Sequence, residues 1–254
     1  MIQQKEIEKR LREAGVENAV MEARLLCEAL SGDALQSAVE RRCAHYPLQY
    51  LLGSWGFWRE EYEVNEHCLI PRPDTELLVE KAVNMLPNGA RFLDLCTGSG
   101  CVAISTLASR PDTAAVAVDL FDETLALAGR NARRNGVAER LQLCKADVLQ
   151  APSLQGPFDA ILSNPPYITG GAMAELQSEV RHEPRAALYG GEDGLDFYRA
   201  ILKLWQSLLT PEGFLLLEIG YDQAQALCDL AAQYQRTATV FRDLGGNDRV
   251  VLLK

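Results

Sequence analysis

The spacing of apolar residues predicts two different kinds of secondary structure in the first part of the chain. Residues 3 to about 45 carry apolar side chains at helical spacing among many charges, for example Ile7, Leu11 and later Leu26, which predicts a small helical module. From Pro47 the sequence LQYLLGSWGFWREEYEVN is rich in aromatic residues and carries two glycines, which predicts a β-hairpin. We therefore expect a helical module followed by a hairpin linker.

Further along, short apolar segments alternate with helical ones. The sequence LIPRPDTELLVEKAVNML predicts a helix with Asp74 or Thr75 as its N-cap. Strands are predicted at RFLDL, AAVAVD, LQLCKAD, FDAILSN and GFLLLEIG, and helices near 101–109, 122–135, 195–208 and 222–233. This alternation predicts a parallel sheet covered by helices on both faces. The final TATVFRDLGGNDRVVLLK predicts two strands joined by a Gly-Gly-Asn turn, so the sheet should end in an antiparallel hairpin.

These patterns predict three parts of the chain. Residues 1–48 form a helical module that we expect to dock a substrate, residues 49–70 form a β-hairpin linker, and residues 71–254 form the α/β domain. At 254 residues and 48% hydrophobic content, the chain has enough apolar material for such a core.

Charge and cysteine usage narrow the class of protein. The net charge of -10 gives no general attraction for polyphosphate, so duplex nucleic acid is not the expected partner. Seven scattered cysteines without a C-x-x-C pair, and three histidines without ligand spacing, predict neither a disulfide framework nor a metal site. The first residues are charged where a signal peptide is apolar, and no later stretch could span a bilayer, so we expect a cytoplasmic protein that binds no membrane.

A glycine pair between a predicted strand and a predicted helix is the first candidate for chemistry. In LDLCTGSGCVA, Gly98, Gly100 and Ala103 match G-x-G-x-x-[GA], and glycines let a backbone approach a ligand closely. Asp119 ends the next strand and could accept hydrogen bonds from both hydroxyls of a ribose. The pattern alone fits NAD, FAD and S-adenosylmethionine.

Two further aspartates move the balance among these cofactors. Asp94, before the loop, would attract a cationic amino-acid group and would repel the negative charge of a pyrophosphate. Asp147, at the end of the third predicted strand, could read an adenine amino group. Each aspartate alone is more simply a helix cap or a turn residue, but three at successive strand ends favour a nucleoside site.

The stretch SNPPYIT, residues 163–169, puts two prolines directly after a strand that ends on Asn164. Pro165 and Pro166 stop the sheet ladder and stiffen the backbone, so a structural corner is the simplest interpretation. The chemical interpretation is that Asn164 Oδ1 and the Pro165 carbonyl accept the two N–H hydrogens of an amide or aromatic amine, and that Tyr167 stacks on the planar group. Such a pair would orient a weak nitrogen nucleophile for methyl transfer.

At this point the sequence resembles a known family. The stretches PLQYLLG, LIPRPDTELLVE, LDLCTGSG, SNPPYI, HEPRAALYGGEDGLDFYR and EIGYDQ are similar to those of the HemK/PrmC family, the protein-(glutamine-N5) methyltransferases of peptide chain release factors. The resemblance runs from about residue 47 to the C-terminus. It implies a Rossmann-like class I methyltransferase domain with a seven-stranded, mostly parallel sheet, S-adenosylmethionine as cofactor with S-adenosylhomocysteine as product, and a release factor as partner of a monomer.

Carried over residue by residue, the resemblance implies a cofactor site and a substrate site. The cofactor residues are Asp94, Cys96, Thr97, Gly98, Ser99, Gly100, Asp119, Leu120, Asp147, Val148 and Asn164. The glutamine would be held by Asn164, Pro165, Pro166 and Tyr167, with Asn164, Pro165 and Tyr167 catalytic. Cys96 stands where the family usually has glycine, and Val148 where an aromatic residue is common. Arg72 and Glu183 are candidate substrate residues, for which a salt bridge and a turn cap are the structural alternatives.

Three other functions compete with this one. A DNA adenine-N6 methyltransferase would hold a flipped base at the same corner, but it needs a basic duplex-binding surface. A dinucleotide-dependent oxidoreductase fits the glycine loop and leaves the asparagine corner without a role. A non-catalytic nucleotide-binding module would have no use for the acceptor pair.

Overall fold

The helical module consists of three helices in the computed structural model, which describes residues 2–254. They are α1 (Ile2–Glu13), α2 (Ala19–Ala29) and α3 (Gly32–Cys43). Their apolar faces meet in a small core that includes Leu11, Leu26 and Val39, all buried. This separate core is the physical basis of the helical module, because each helix covers the apolar stripe of the others.

The linker differs in part from its prediction. Residues 48–52, expected as the start of a β-hairpin, form the short helix α4 (Leu48–Leu52), which ends at Gly53 with φ +73°. Leu48, Leu51 and Leu52 have helical spacing and pack against the core of the helical module, so the periodicity of these leucines overrode the neighbouring aromatic signal. The hairpin itself is β1 (Ser54–Phe57) paired antiparallel with β2 (Glu60–Glu63).

The α/β domain follows the predicted alternation. Its elements are α5 (Glu76–Met85), β3 (Arg91–Leu95), α6 (Cys101–Ser109), β4 (Ala114–Asp119), α7 (Asp122–Arg134), β5 (Leu141–Lys145), β6 (Phe158–Ser163), α8 (Asp196–Ala200), β7 (Leu209–Glu218), α9 (Ala224–Gln233), β8 (Ala238–Arg242) and β9 (Asp248–Leu253). Helix α8 continues through a wider π-helical stretch, Ile201–Trp205. The expected α/β fold class is therefore confirmed.

The seven strands lie in the order β5-β4-β3-β6-β7-β9-β8. All neighbours pair in parallel except β9, which runs antiparallel to both β7 and β8. The predicted terminal hairpin is confirmed, and it folds so that its second strand, not its first, joins β7. Strand order reverses at β3, which has β4 on one side and β6 on the other, and ligands of such sheets bind at the carboxyl ends of the strands beside this reversal.

Two hydrophobic layers cover the sheet. Phe92 faces a core formed with α5, α6 and α7, whereas its neighbour Leu93 faces a core formed with α8 and α9. Alternate residues of one strand point to opposite faces, so a strand buried on both sides is apolar throughout. Trp205, fully buried, anchors the second layer. Within residues 2–254 no helix has both the length and the apolar character that crossing a bilayer requires.

Candidate active site

A cavity of about 550 Å³ opens at the carboxyl ends of the central strands. Among the residues that line it are all the predicted cofactor residues except Gly100, namely Asp94, Cys96, Thr97, Gly98, Ser99, Asp119, Leu120, Asp147, Val148 and Asn164. The sheet topology explains this convergence, because β3, β4, β5 and β6 lie side by side and all end at the same edge. Residues far apart in the sequence thus meet around one space.

The loop after β3 owes its shape to residues in the left-handed region. Cys96, Gly98 and Gly100 have φ of +60°, +57° and +84°. A side chain at Gly100 would also place its Cβ 2.7 Å from Ile104 Cδ1, so this glycine serves the start of α6 rather than the cavity wall. Cys96 therefore adopts a conformation that favours glycine, the residue that the family resemblance leads one to expect at this position.

Asp119 ends β4 with its carboxylate held by backbone donors. Its Oδ2 accepts a hydrogen bond from Gly98 N at 3.0 Å, and its Oδ1 accepts one from Leu120 N at 2.8 Å. Burial raises the pKa of Asp119, while these backbone hydrogen bonds act in the opposite direction. The carboxylate is thereby fixed at the cavity wall with its orientation set by the main chain.

Asp94 is more deeply placed than Asp119. It is 1% exposed, and its Oδ2 accepts hydrogen bonds from Thr97 Oγ1 at 2.6 Å and Ala103 N at 3.2 Å. Burial raises its pKa to about 7. Asp94 therefore secures the loop to the first turn of α6, the capping role named as its structural alternative, while also lining the cavity.

The predicted adenine residues lie at the next strand end. Asp147 Oδ1 accepts a hydrogen bond from Leu149 N at 2.9 Å, as a turn residue does, and Val148 is buried with its carbonyl accepting from Trp205 Nε1 at 2.9 Å. The exposed Phe121 also lines the cavity. Phe121 and Val148 line the same cavity. Phe121 therefore supplies an aromatic side chain there, although position 148, where the family resemblance implies an aromatic residue, is valine.

The asparagine corner lies at the end of β6. Ser163 Oγ donates to the Leu95 carbonyl at 2.6 Å, which ties the ends of β6 and β3 together. Asn164 Nδ2 donates to Thr75 Oγ1 at 3.1 Å. No residue in the described part of the chain donates a hydrogen bond to Asn164 Oδ1 or to the Pro165 carbonyl, so both oxygens keep their accepting capacity.

A second cavity of about 310 Å³ also borders this corner. Its lining includes Arg72, Asn164, Pro165, Tyr167 and Glu218. The two cavities share Leu69, Arg72, Asn164 and Ala187. Pro166, predicted with the substrate residues, lines the first cavity instead. Asn164 is thus one of the residues that border both spaces.

Two glycines allow a later loop to pack against the corner. A Cβ at Gly190 would lie 2.6 Å from the Pro166 carbonyl oxygen, and one at Gly194 would lie 2.4 Å from the Tyr167 carbonyl oxygen. The same Tyr167 carbonyl accepts a hydrogen bond from Gln223 Nε2 at 3.0 Å. The backbone of the corner is therefore held from two directions, and burial raises the pKa of the Tyr167 phenol to about 12.

Arg72 and Glu183 form an ion pair. The second oxygen of Glu183 accepts a hydrogen bond from Ile70 N at 3.0 Å. Arg72 lines both cavities, whereas Glu183 belongs to the lining of neither. This geometry favours the structural alternative for Glu183, which fixes the segment that carries Arg72 beside the two spaces.

Sequence reasoning missed several residues that the structure brings to the site. Thr75 was predicted only as an N-cap, and Glu218 only as part of the EIG sequence. Phe121 and Phe197 both line the first cavity. Phe121 is the next residue after the predicted site residues Asp119 and Leu120, so its position in the sequence could have suggested that it lines the cavity. Phe197 lies far from these residues in the sequence, and only tertiary packing brings it to the cavity.

The residues of the first cavity fit a nucleoside cofactor with a cationic amino-acid portion. Carboxylates stand at successive strand ends, the glycine loop allows close backbone approach, and Ser99 Oγ is buried without a hydrogen-bond partner among the described residues. The cavity volume is also in the range typical of small-ligand sites. Across residues 2–254 no group of three or more His, Cys, Asp or Glu side chains is arranged to hold a metal ion.

Comparison with known proteins agrees with this architecture. The family described as "Methyltransferase small domain" matches residues 73–191. Among solved structures, a methyltransferase from Pyrococcus furiosus superimposes with a TM-score of 0.59 at 18% identity, covering 76% of this chain and 87% of that one, which shows the shared fold. Fold and site together define a class I, S-adenosylmethionine-dependent methyltransferase.

Curated relatives define the family more narrowly. The release factor glutamine methyltransferase of Geobacter sulfurreducens is 38% identical over 265 residues, covering 95% of this chain and 91% of its own. The enzyme of the same name from Cereibacter sphaeroides is 40% identical over 264 residues, covering 95% and 93%. The chain belongs to the release factor glutamine methyltransferase family, so the resemblance of the sequence to HemK/PrmC proteins is confirmed.

Proposed function

We propose that this protein transfers a methyl group from S-adenosylmethionine to the side-chain amide nitrogen of the glutamine in the Gly-Gly-Gln motif of peptide chain release factors. The observation that supports the proposal is that Asn164 lines both cavities, which share four lining residues. The relatives of this chain bear the corresponding name. A DNA adenine-N6 methyltransferase lacks the support of these relatives, and the net charge of -10 opposes duplex binding.

In this proposal the first cavity holds the cofactor. Asp119 accepts hydrogen bonds from the ribose hydroxyls, Asp147 and Val148 border the adenine, and the loop from Cys96 to Ser99 borders the methionine portion. When bound, S-adenosylmethionine supplies an electrophilic methyl on a sulfonium. The contribution of the protein is to hold the acceptor nitrogen in line with that methyl at close range.

The second cavity receives the glutamine side chain. Asn164 Oδ1 and the Pro165 carbonyl accept the two N–H hydrogens, which orients the nitrogen and stabilises the positive charge that develops on it. Tyr167 stacks on the planar carboxamide. The nitrogen loses a proton readily once it is methylated, so no ionised general base is assigned to this step. We further propose that the enzyme acts as a monomer in the cytoplasm, with residues 1–48 and the hairpin docking the release factor.

Mass spectrometry of a release factor incubated with the enzyme and a methyl-labelled cofactor tests the function. The expected result is one added methyl on the glutamine of the Gly-Gly-Gln motif. A release factor in which that glutamine is replaced by alanine is the matched control and should stay unlabelled. Label on another residue, or label on DNA adenine and none on the release factor, would overturn the proposal.

A further inference from the structure

Asn131, a fully buried residue of α7, joins the glycine loop to the β-hairpin. Its Nδ2 donates hydrogen bonds to the Ser99 carbonyl at 2.9 Å and to the Glu63 carbonyl at 3.0 Å. Its Oδ1 accepts a hydrogen bond from Glu63 N at 2.7 Å. The two carbonyls can only accept and the backbone N–H can only donate, so these partners fix the orientation of the carboxamide. One buried side chain therefore connects a wall of the first cavity to strand β2.

The glycine loop depends on other segments for its conformation. Ser99 lies between Gly98 and Gly100, which have φ of +57° and +84°, and glycine adopts positive and negative φ about equally well. Contacts from outside the loop must therefore favour one conformation over the others. Asp119 Oδ2 accepts a hydrogen bond from Gly98 N at 3.0 Å, and Asn131 holds the carbonyl of the next residue, Ser99. Without Asn131, this second contact with the loop is lost.

We propose that Asn131 is a positioning residue for the cofactor, which holds Ser99 in the conformation that binds S-adenosylmethionine and makes the hairpin a support of the cofactor cavity. Ser99 lines the first cavity, whereas Asn131 and Glu63 line neither cavity. Asn131 therefore acts through the loop and not by contact with a ligand. The inference rests on the part of the proposed function that places the cofactor in the first cavity.

Two asparagines of the same helical region provide a matched pair of variants. Asn135 Nδ2 also donates to a carbonyl of β2, that of Glu61, at 3.1 Å, but Asn135 has no hydrogen bond to the glycine loop among the described residues. Titration calorimetry with S-adenosylhomocysteine should show about 10-fold weaker binding for Asn131→Ala, because a hydrogen bond to the loop is lost. Asn135→Ala should stay within about twofold of wild type. Wild-type affinity in Asn131→Ala, or an equal loss in both variants, would overturn the proposal.

Two further readouts distinguish positioning from simple packing. Asn131→Leu is similar in size and cannot hydrogen-bond, so it should bind S-adenosylhomocysteine as weakly as Asn131→Ala. Recovery of wild-type affinity in Asn131→Leu would show that the side chain only fills space. In Asn131→Ala the KM for S-adenosylmethionine should rise about 10-fold while the KM for the release factor stays within about twofold. A rise in the second KM alone would contradict the role.

Hydrogen exchange of the wild-type protein tests the same connection without any substitution. The Glu63 N–H donates to Asn131 Oδ1 and lies outside the cavity lining. Since coupling is reciprocal, saturation with S-adenosylhomocysteine should slow exchange at Glu63 by at least about fivefold, together with exchange at Gly98. Asn247 N–H, in the turn of the terminal hairpin, is the control and should change little. Slowing at Gly98 without slowing at Glu63, or equal slowing at Glu63 and Asn247, would overturn the proposal.

Asp119→Ala separates this inference from the proposed function. If Asp119→Ala and Asn131→Ala both bind S-adenosylhomocysteine as the wild type does, the first cavity is not the cofactor site and the inference fails with that assignment. If Asp119→Ala binds weakly while Asn131→Ala binds normally, the cofactor site stands and the positioning role alone is overturned. Calorimetry requires no methyl acceptor, so these results do not depend on the release factor being the substrate.

Discussion

The backbone N–H of Gly98 donates a hydrogen bond to Asp119 Oδ2 at 3.0 Å, which joins the glycine loop after β3 to the end of β4. The Asp119 carboxylate thus connects two segments that both line the first cavity. Its other oxygen is held by Leu120 N, so the carboxylate cannot rotate without breaking main-chain contacts. A preorganised acceptor of this kind binds a diol at lower entropic cost than a free side chain would.

We predict that Asp119→Ala weakens S-adenosylmethionine binding about 10- to 100-fold, because hydrogen bonds to a charged group contribute roughly 1.5–3 kcal/mol. Titration calorimetry measures the change in Kd. Asp122→Ala is the matched control, since it removes the same charge from a nearby side chain that is largely exposed and does not line the cavity. Equal affinities for Asp119→Ala and wild type would reject the ribose assignment.

A second prediction concerns Asp94 and pH. Its folded-state pKa of about 7 lies above its ordinary value of 3.8 because the group is buried. The folded protein therefore holds a proton on Asp94 that the unfolded chain has already released, so this contribution to stability is present below about pH 4 and is lost as pH rises through about 7. In Asp94→Asn, the unfolding free energy should fall less steeply between about pH 4 and 7.

Urea unfolding at a series of pH values measures this effect. The comparison is between slopes with pH, not between absolute stabilities, because the substitution also alters the hydrogen bonds to Thr97 and Ala103. Parallel curves for wild type and Asp94→Asn would show that the carboxyl titrates alike in the folded and unfolded states, and the prediction would be wrong.

The alternation of apolar segments was sufficient to predict the sheet and its helices, because each strand buried on both faces is a continuous apolar run. The linker was harder to predict. In LQYLL the aromatic content pointed to a strand, but Leu48, Leu51 and Leu52 bury a helical face against the helical module. Short segments of this kind take their conformation from the neighbour they pack on, which local pattern does not reveal.

The candidate site was predicted best where its residues lie at strand ends. Asp94, Asp119, Asp147 and Asn164 each lie at or near the end of a strand, and the parallel topology brings them to one cavity. Thr75 could not be assigned this way, because its contact with Asn164 joins residues 89 positions apart. Nothing local distinguishes a threonine that only caps a helix from one that also accepts a hydrogen bond from Asn164.

A third prediction distinguishes two reasons for glycine at position 100, its positive φ and the lack of space for a Cβ atom. At Gly136, where φ is +69°, an added Cβ would have no atom within 4 Å, whereas at Gly100, where φ is +84°, it would meet Ile104 at 2.7 Å and Ala128 at 3.3 Å. Gly136→Ala should cost about 1 kcal/mol from backbone strain. Gly100→Ala adds steric overlap and should cost at least about 1 kcal/mol more. Urea unfolding gives both values, and equal losses would show that α6 accommodates the methyl group freely.

The last prediction concerns a buried ion pair in the helical module. Arg42 Nε donates to Glu22 Oε2 at 2.5 Å, and Arg42 Nη2 donates to Glu179 Oε1 at 2.7 Å. The side chains of Arg42 and Glu22 are 3% and 9% exposed, whereas that of Glu179 is 43% exposed. Arg42 therefore joins α2 and α3 to the loop that borders the second cavity, with its charge neutralised mainly from within the module.

Removing either partner of a buried pair leaves an unbalanced charge in the core. Glu22→Ala should therefore destabilise the protein by about 3–5 kcal/mol, whereas Glu179→Ala, which breaks a partly exposed pair with the same guanidinium, should cost no more than about 1 kcal/mol. Thermal unfolding followed by circular dichroism measures both. If the two losses are equal, the guanidinium of Arg42 is not buried in solution, and the helical module is attached to the α/β domain in some other way.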